Sequence, residues 1–149
     1  MAYILTYAYD PYPYIRYIIE DVKKQLGLPV IILQSHHKED EVDTIVNDEG
    51  PCEFLWLFEH SEFVITTSFH GTAFALNFEK PFYSVVQNET TTDSRIVSLL
   101  QRVHRTDSIL VYNRDRVNEI KPQQTTNNQY LETFRHESVE VLKEIVSND

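Results

Sequence analysis

The chain has 149 residues, of which 42% are hydrophobic and 24% charged, so it can form one globular domain with a substantial core. Its 13 Lys and Arg against 23 Asp and Glu give a formal net charge of -10, which argues against nucleic acid or an anionic membrane surface as the main partner. The longest apolar run, residues 54–58, is too short to span a membrane, and residues 1–3 lack the basic start of a signal peptide. A single cysteine, Cys52, excludes an internal disulfide and a cysteine-based zinc cluster, so we expect a cytoplasmic protein.

The first elements alternate between strand and helix. Residues 3–9 are rich in β-forming residues and end at a loop with two prolines, which predicts a first strand. Apolar residues at helical spacing over residues 15–26 predict a helix that Gly27 ends, and residues 30–33 predict a second strand. Residues 35–49 are mostly polar and acidic, which is typical of a loop with a short turn of helix.

The middle of the chain continues the alternation. Residues 50–53, Gly-Pro-Cys-Glu, predict a helix start, because proline suits the first helical position and a carboxylate in the first turn suits the helix dipole. That helix leads into a buried strand at residues 63–65. A further helix is predicted over residues 70–78, and a short strand over residues 82–86.

The last third adds two helices. Apolar residues at i, i+3, i+4 and i+7 over residues 96–103 predict an amphipathic helix. Residues 109–112 predict a last strand, residues 113–128 a polar linker and residues 131–145 a terminal helix. Strands alternating with helices predict an α/β fold, a Rossmann-like parallel sheet with helices on both faces, formed by residues 1–149 as a single domain.

The segment with the most chemical information is residues 62–74, where a strand ends in hydroxyls, a histidine and a glycine before a helix starts. Ser68, His70 and Thr72 are predicted to lie at the carboxyl edge of the sheet, where open parallel sheets bind ligands. Gly71 allows a backbone or a ligand to come close, and the helix start offers free N–H groups to an anion. A histidine there can donate a proton or bind a phosphate, although helix capping alone would also explain these residues.

Asp93, Ser94 and Arg95 form a second candidate site. An arginine in the first turn of a helix is unfavourable for the helix dipole, and its guanidinium group could instead hold a carboxylate or phosphate. A solvated side chain or an ion pair with Asp93 is the simpler explanation.

Four other features allow weaker hypotheses. His36 and His37 lie next to two acids and could be read as metal ligands, but a solvated loop is the better interpretation, so no metal site is expected. Four tyrosines near the first strand could form a stacking surface for a sugar or a partner, or be partly buried; they are Tyr7, Tyr9, Tyr12 and Tyr14. Trp56 is expected in the core or at an interface, and Cys52 has no activating partner in the sequence.

Five short motifs keep the order and spacing of a known family. They are Gly-Pro and Glu-Phe-Leu within residues 50–55, Phe-Val-Ile-Thr at 63–66, Ser-Phe-His-Gly-Thr-Ala-Phe at 68–74, Lys-Pro-Phe at 80–82, and Ser-Arg-Ile with Leu-Leu within 94–100. Over about residues 50–110 the chain resembles the carboxyl-terminal half of the polysaccharide pyruvyl transferases. The turn after the fifth motif departs from the family, because residues 104–107 replace its usual glycine.

The resemblance implies a fold and a reaction. The family is similar to two-lobed glycosyltransferases of the B type, so residues 1–149 would form the donor-binding lobe, with the amino-terminal lobe absent. Members transfer an enolpyruvyl unit from phosphoenolpyruvate to a sugar of a cell-surface or exopolysaccharide glycan. The implied partners are therefore phosphoenolpyruvate, a glycan acceptor and either a separate amino-terminal lobe or a second copy of the chain, with no cofactor.

The resemblance also implies roles for single residues. His70 would assist protonation of the enol or stabilise the departing phosphate, and Arg95 would pair with an anionic group of the donor. The residues that would line the phosphate are Ser68, Gly71, Thr72 and Ser94.

Two alternatives to a pyruvyl transferase remain at this point. The chain could be a glycosyltransferase lobe that binds the pyrophosphate of a nucleotide sugar at the same helix start. It could also be a non-catalytic scaffold or partner domain.

Overall fold

A computed structural model of the chain describes residues 1–8, 15–33, 43–87, 94–112, 115–120 and 129–147, without the side chain of Ser94. The helices are α1 (Ile15–Leu26), α2 (Pro51–Glu59), α3 (Phe69–Asn77), α4 (Ser94–Arg102) and α5 (Gln129–Ser147). The strands are β1 (Ile4–Tyr7), β2 (Val30–Leu33), β3 (Thr44–Val46), β4 (Phe63–Thr66), β5 (Phe82–Val86) and β6 (Ile109–Val111). A 3-10 turn, Thr106–Ser108, precedes β6.

The strands form one parallel six-stranded sheet in the order β3-β2-β1-β4-β5-β6, which is the Rossmann order. The predicted α/β Rossmann-like fold is therefore confirmed. The order reverses between β1 and β4, where Tyr7 is aligned with Thr66. At such a reversal the connections leave on opposite sides, and a crevice opens at the carboxyl ends of the two strands.

The sheet buries a hydrophobic core on each face, as predicted. One core contains residues of α2, α3, α4 and the first turn of α5, including Phe58, Leu76 and Leu100. The other contains α1 and part of residues 115–120, including Ile18 and Val117. Because both faces are covered, every residue of β1, β4 and β5 is buried, which explains their nearly continuous apolar sequences.

The helix boundaries follow local signals that the sequence displays. Gly27 adopts φ +65° and its N–H donates to the Lys23 carbonyl at 2.8 Å, so it ends α1 as predicted. Gly50 precedes α2 and Pro51 occupies its first turn, also as predicted.

The expectation that residues 35–49 form a loop was wrong for Thr44–Val46, which forms the edge strand β3. Ile45 pairs with Ile32 of β2. The Asp43 carboxylate secures the start of the strand, accepting the Val30 N–H at 2.8 Å and the Lys23 ammonium group at 2.9 Å. Three residues are too few to show a strand period, so only pairing with β2 reveals this strand.

Within the predicted polar linker of residues 113–128, residues 115–120 have neither helix nor strand, as expected, but they pack on α1. Val117 is buried in the core beside α1. The Asp21 carboxylate accepts two hydrogen bonds from Arg116 at 2.7 Å and one from the Val117 N–H at 3.0 Å. These partners lie more than 90 residues apart, so no local pattern could indicate the contact.

The predicted terminal helix and Trp56 both have apolar side chains that are exposed in the structure. The terminal helix is confirmed as α5, but Leu142 and Ile145 are 60% and 58% exposed and pack on none of the described core. Trp56 is 52% exposed, so it is not a core residue. Within the described part of the chain, no helix is long and apolar enough to cross a membrane.

Candidate functional site

The turn from β4 to α3, residues 66–72, lies where the strand order reverses, and Thr66 anchors it. The Thr66 hydroxyl donates to the Tyr7 carbonyl of β1 at 2.7 Å and accepts the Ser68 N–H at 3.0 Å. Thr66 is fully buried, so both hydrogen bonds are shielded from water. The Thr66 side chain therefore connects the end of β1 and the end of β4 to Ser68, within the turn.

Gly71 is required by close packing rather than by backbone conformation. A Cβ atom there would lie 2.2 Å from the Thr66 hydroxyl oxygen and 3.1 Å from the Tyr7 ring. The sequence predicted that Gly71 allows another backbone or a ligand to approach. The close neighbours are instead two side chains of this chain, which hold the start of α3 against β1 and β4.

Ser68 and Thr72 secure the same helix start from within. The Ser68 hydroxyl accepts the Gly71 N–H at 3.4 Å, as an N-cap residue does. The Thr72 hydroxyl is buried, donates to the Ser68 carbonyl at 2.9 Å and bonds the Ser84 hydroxyl of β5 at 2.7 Å. Thr72 therefore presents its side chain to the protein, and the part predicted for it in lining a phosphate stays a prediction.

Two backbone N–H groups at the start of α3 are left for a ligand. The N–H groups of Ser68, Gly71 and Thr72 have acceptors within the turn. Those of Phe69 and His70 have no acceptor among the described residues. Since the positive end of the helix dipole lies here too, the site suits an anion.

The side chains of His70 and Arg95 both lie next to the Phe69 ring. The Arg95 guanidinium carbon is 5.3 Å from the centroid of the Phe69 ring, and the His70 ring meets the Phe69 ring edge to face at 5.9 Å. Both polar side chains are exposed. Arg95 has no carboxylate partner in the described segments, so its charge is available to a ligand at this edge.

The structure does not describe every predicted site residue. Ser94 begins α4, beside Arg95, but its side chain is outside the described residues, as is the possible ion-pair partner Asp93. The adjacent histidines 36 and 37 and the tyrosines 9, 12 and 14 are also outside them. Tyr7 is described and buried, with its ring 5.1 Å from that of Phe54, so it offers no stacking surface to a sugar.

Three residues of the site were missed by the sequence reasoning: Thr66, Phe69 and Ser84. Thr66 and Ser84 are hydroxyl residues inside apolar strands, and that is the signal that could have marked them. A buried hydroxyl needs a hydrogen-bond partner, and in both cases the partner belongs to the turn or the strand next to it. Phe69 gives no sequence signal, because its role comes from the position of α4.

The turn after α4 has no glycine, although the family that the chain resembles usually has one there. His104 adopts φ 55°, the left-handed conformation that glycine takes easily. The N–H of Arg105 donates to the Leu100 carbonyl at 2.7 Å, which closes the end of the helix. The backbone of the turn therefore has a glycine-like conformation at a non-glycine residue.

Comparison with known proteins gives one family and one solved structure. The chain resembles the UDP-GlcNAc 2-epimerase of Methanocaldococcus jannaschii, solved in complex with UDP-GlcNAc and UDP, at 15% identity and a TM-score of 0.45. The likeness covers 96% of this chain and 45% of the epimerase, so the chain spans less than half of that protein's length. No curated protein matches the chain significantly.

The family match begins earlier in the chain than the five motifs indicated. Residues 2–89 match the family described as polysaccharide pyruvyl transferase. The matched region includes β1, whose end meets the β4–α3 turn, and the turn itself, and it stops before Arg95. Because the match covers more than half of its residues, the chain belongs to the polysaccharide pyruvyl transferase family.

Proposed function

We propose that this chain is the donor-binding lobe of a pyruvyl transferase, which transfers the pyruvyl unit of phosphoenolpyruvate, as a ketal, to a sugar of a cell-surface or exopolysaccharide glycan. Family membership supports the reaction class. The observation that carries the assignment of the site is the pair of N–H groups of Phe69 and His70, which have no acceptor among the described residues, at a helix start beside Arg95. Phosphoenolpyruvate has a phosphate and a carboxylate, and this arrangement suits either.

The phosphate lies against the N–H groups of Phe69 and His70, and the Arg95 guanidinium group neutralises part of the donor's charge. The methylene carbon takes one proton and becomes a methyl group as the first acceptor hydroxyl adds to C2, then the bond from C2 to the phosphate oxygen breaks and the second hydroxyl adds to C2, which gives a pyruvate ketal. Of the two hydroxyl protons, one replaces the proton taken by the methylene carbon and the other leaves on hydrogen phosphate. His70 supplies a proton to the enol or stabilises the departing phosphate.

The hydrogen bonds within the turn give the predicted phosphate-binding residues a supporting role. Ser68, Gly71 and Thr72 hold the backbone of the turn in place, so the N–H groups are already oriented before the donor arrives. Preorganised donors of this kind stabilise developing negative charge without a cost of reorganisation. Ser94 is the first residue of α4, so Arg95 lies in the first turn of that helix.

An NMR titration with phosphoenolpyruvate tests the proposal. We expect shifts of the Phe69, His70 and Gly71 amide signals, because these groups surround the proposed phosphate position. Arg95→Gln is expected to weaken binding about tenfold, the effect of losing one charge-assisted hydrogen bond. His136→Ala, which removes an exposed histidine of α5, is the matched control for His70→Ala and should leave the affinity unchanged.

Absence of shifts at residues 69–71 under saturating phosphoenolpyruvate would contradict the proposal. Tighter binding of uridine diphosphate than of phosphoenolpyruvate at the same amides would instead support a nucleotide-sugar lobe. Tight association with another chain that His70→Ala does not change, without binding of either ligand, would support a scaffold.

A further inference from the structure

Arginine side chains lie over aromatic rings at four places in the described part of the chain, and Arg95 differs from the other three. In each pair the guanidinium carbon is between 4.7 and 5.3 Å from the ring centroid; the pairs are Arg95 with Phe69, Arg102 with Phe134, Arg105 with Phe82 and Arg116 with Tyr17. The other three arginines also have a carboxylate partner, at 2.9, 3.6 and 2.7 Å, namely Glu137, Asp107 and Asp21. Among the described residues, Arg95 has none.

The contact with Phe69 determines how Arg95 can meet a ligand. A guanidinium group held against the face of a ring can still donate the N–H bonds at its outer edge. That edge binds a carboxylate through two parallel hydrogen bonds. The Phe69 ring is half-buried and packs against the core, so it offers the guanidinium group a fixed surface.

Phe69 also belongs to the anion site through its backbone. Its N–H is one of the two at the start of α3 that have no acceptor among the described residues. The same residue therefore supplies an N–H group to an anion and a ring to Arg95. A ligand with two anionic groups can place a phosphate at the N–H groups and a carboxylate at the guanidinium group, provided that the link between them is short.

We propose that Phe69 is a positioning residue, which holds Arg95 so that its guanidinium group binds the carboxylate of a ligand whose phosphate lies at the start of α3. The ligand class is a phosphorylated 2-hydroxy or enol acid, in which the carboxylate and the phosphate oxygen are attached to neighbouring carbons. The proposal rests on the function proposed above, because phosphoenolpyruvate is a member of this class. It adds the basis on which the site distinguishes that donor from phosphates without a carboxylate.

Two phosphate esters of similar size test the selectivity. 2-Phosphoglycolate has a carboxylate where ethyl phosphate has a methyl group. We expect the wild type to bind 2-phosphoglycolate at least about tenfold more tightly, measured by NMR titration of the Phe69 and His70 amide signals. The net charge of -10 opposes an additional negative charge on the ligand, so the general field of the protein would give the opposite preference.

Three variants separate the role of the ring from that of the charge. Phe69→Leu keeps an apolar side chain without the ring, so the preference for 2-phosphoglycolate should fall about threefold, the effect of one exposed cation–π contact. Phe69→Tyr keeps the ring and should keep the preference. Arg95→Lys, at an exposed position, keeps the charge without the planar fork and should lose most of the preference.

Phe134→Leu is the matched control, because it removes the ring under Arg102, outside the site. It should leave the preference unchanged. The Arg95 Nε–H signal adds a readout that needs no ligand: the ring current of Phe69 should shift it in the wild type and in Phe69→Tyr but not in Phe69→Leu.

The role of Phe69 is overturned if Phe69→Leu and Phe134→Leu show the same preference, or if the wild type shows no ring-current shift at Arg95. Equal binding of the two esters by the wild type overturns the proposed ligand class. If phosphoenolpyruvate still binds at residues 69–71 in these cases, the function proposed above stands and only this proposal fails. Binding of neither ester nor phosphoenolpyruvate contradicts both.

Discussion

Two helices, α3 and α2, begin at the same edge of the sheet and present opposite charges there. At the start of α3, beside Arg95, two N–H groups have no acceptor in the part of the chain that the structure describes. The start of α2 has a carboxylate, Glu53, in its first turn, and Asp48 and Glu49 lie just before it. A helix dipole is therefore not enough to make an anion site, since the side chains around a helix start determine the sign of the charge that a ligand meets.

The two helix starts also differ in how tightly they are built. At α3 the buried hydroxyls of Thr66 and Thr72 connect three strands to the turn. At α2 the N-cap residue Gly50 has no side chain and makes no side-chain cap, and Pro51 follows it. The start of α3 is thus held by buried side chains before any ligand binds, whereas no side chain caps the start of α2.

Substitution of Gly71 and of Gly50 by alanine tests this difference in rigidity between the two helix starts. Gly71→Ala has the largest expected effect. Gly71→Ala places a Cβ atom 2.2 Å from the Thr66 hydroxyl, so it should lower the free energy of unfolding by about 2 kcal/mol. Gly50→Ala places a Cβ atom 2.6 Å from the flexible end of Glu53, which can move, so the loss should be below about 1 kcal/mol. Urea unfolding of both variants measures the two values, and equal losses would remove the proposed contrast in rigidity.

Removal of the buried hydroxyl pair should have an intermediate effect. Thr72→Val leaves the Ser84 hydroxyl buried without its partner, which should cost about 1.5 kcal/mol. Ser84→Ala in the Thr72→Val background should cost less than Ser84→Ala alone, because the partner is already gone. A double-mutant cycle by urea unfolding gives the coupling, and strictly additive losses would show that the pair does not stabilise the turn.

The smallest effect is expected on the opposite edge of the sheet, at Asp43, which precedes β3. The Val30 N–H and the Lys23 ammonium group hold the pKa of Asp43 below its ordinary value of 3.8. Because the pKa is lowered in the folded state, the Asp43 carboxylate contributes its full share to the free energy of unfolding above about pH 4. That contribution is lost as the pH falls through the pKa of the folded state. Asp43→Asn should therefore cost about 0.5 kcal/mol at pH 7, since both side chains are more than one-third exposed and water screens the pair.

Unfolding curves between pH 2 and 7 check the Asp43 prediction. The difference between the wild type and Asp43→Asn should be constant near neutral pH and shrink below pH 4. A difference that grows on acidification would contradict the assignment.

Most elements could be predicted from the sequence because their signals are local. Helical spacing of apolar residues, Gly27 at the end of α1 and Pro51 at the start of α2 act within a few residues of themselves. The same holds for the β4–α3 turn, where an apolar strand breaks into hydroxyls and a glycine. β3 and residues 115–120 could not be predicted, because contacts with distant residues stabilise them.

The sequence alone determined the alternation of strands and helices, the place of the β4–α3 turn and the residue types that it offers to a ligand. Only the tertiary structure decided the order of the strands, which puts that turn beside the end of β1. It also directed the Thr72 hydroxyl into the protein and placed Arg95 against Phe69. Side-chain direction and long-range neighbours depend on how the helices pack on the sheet, and no local pattern encodes that packing.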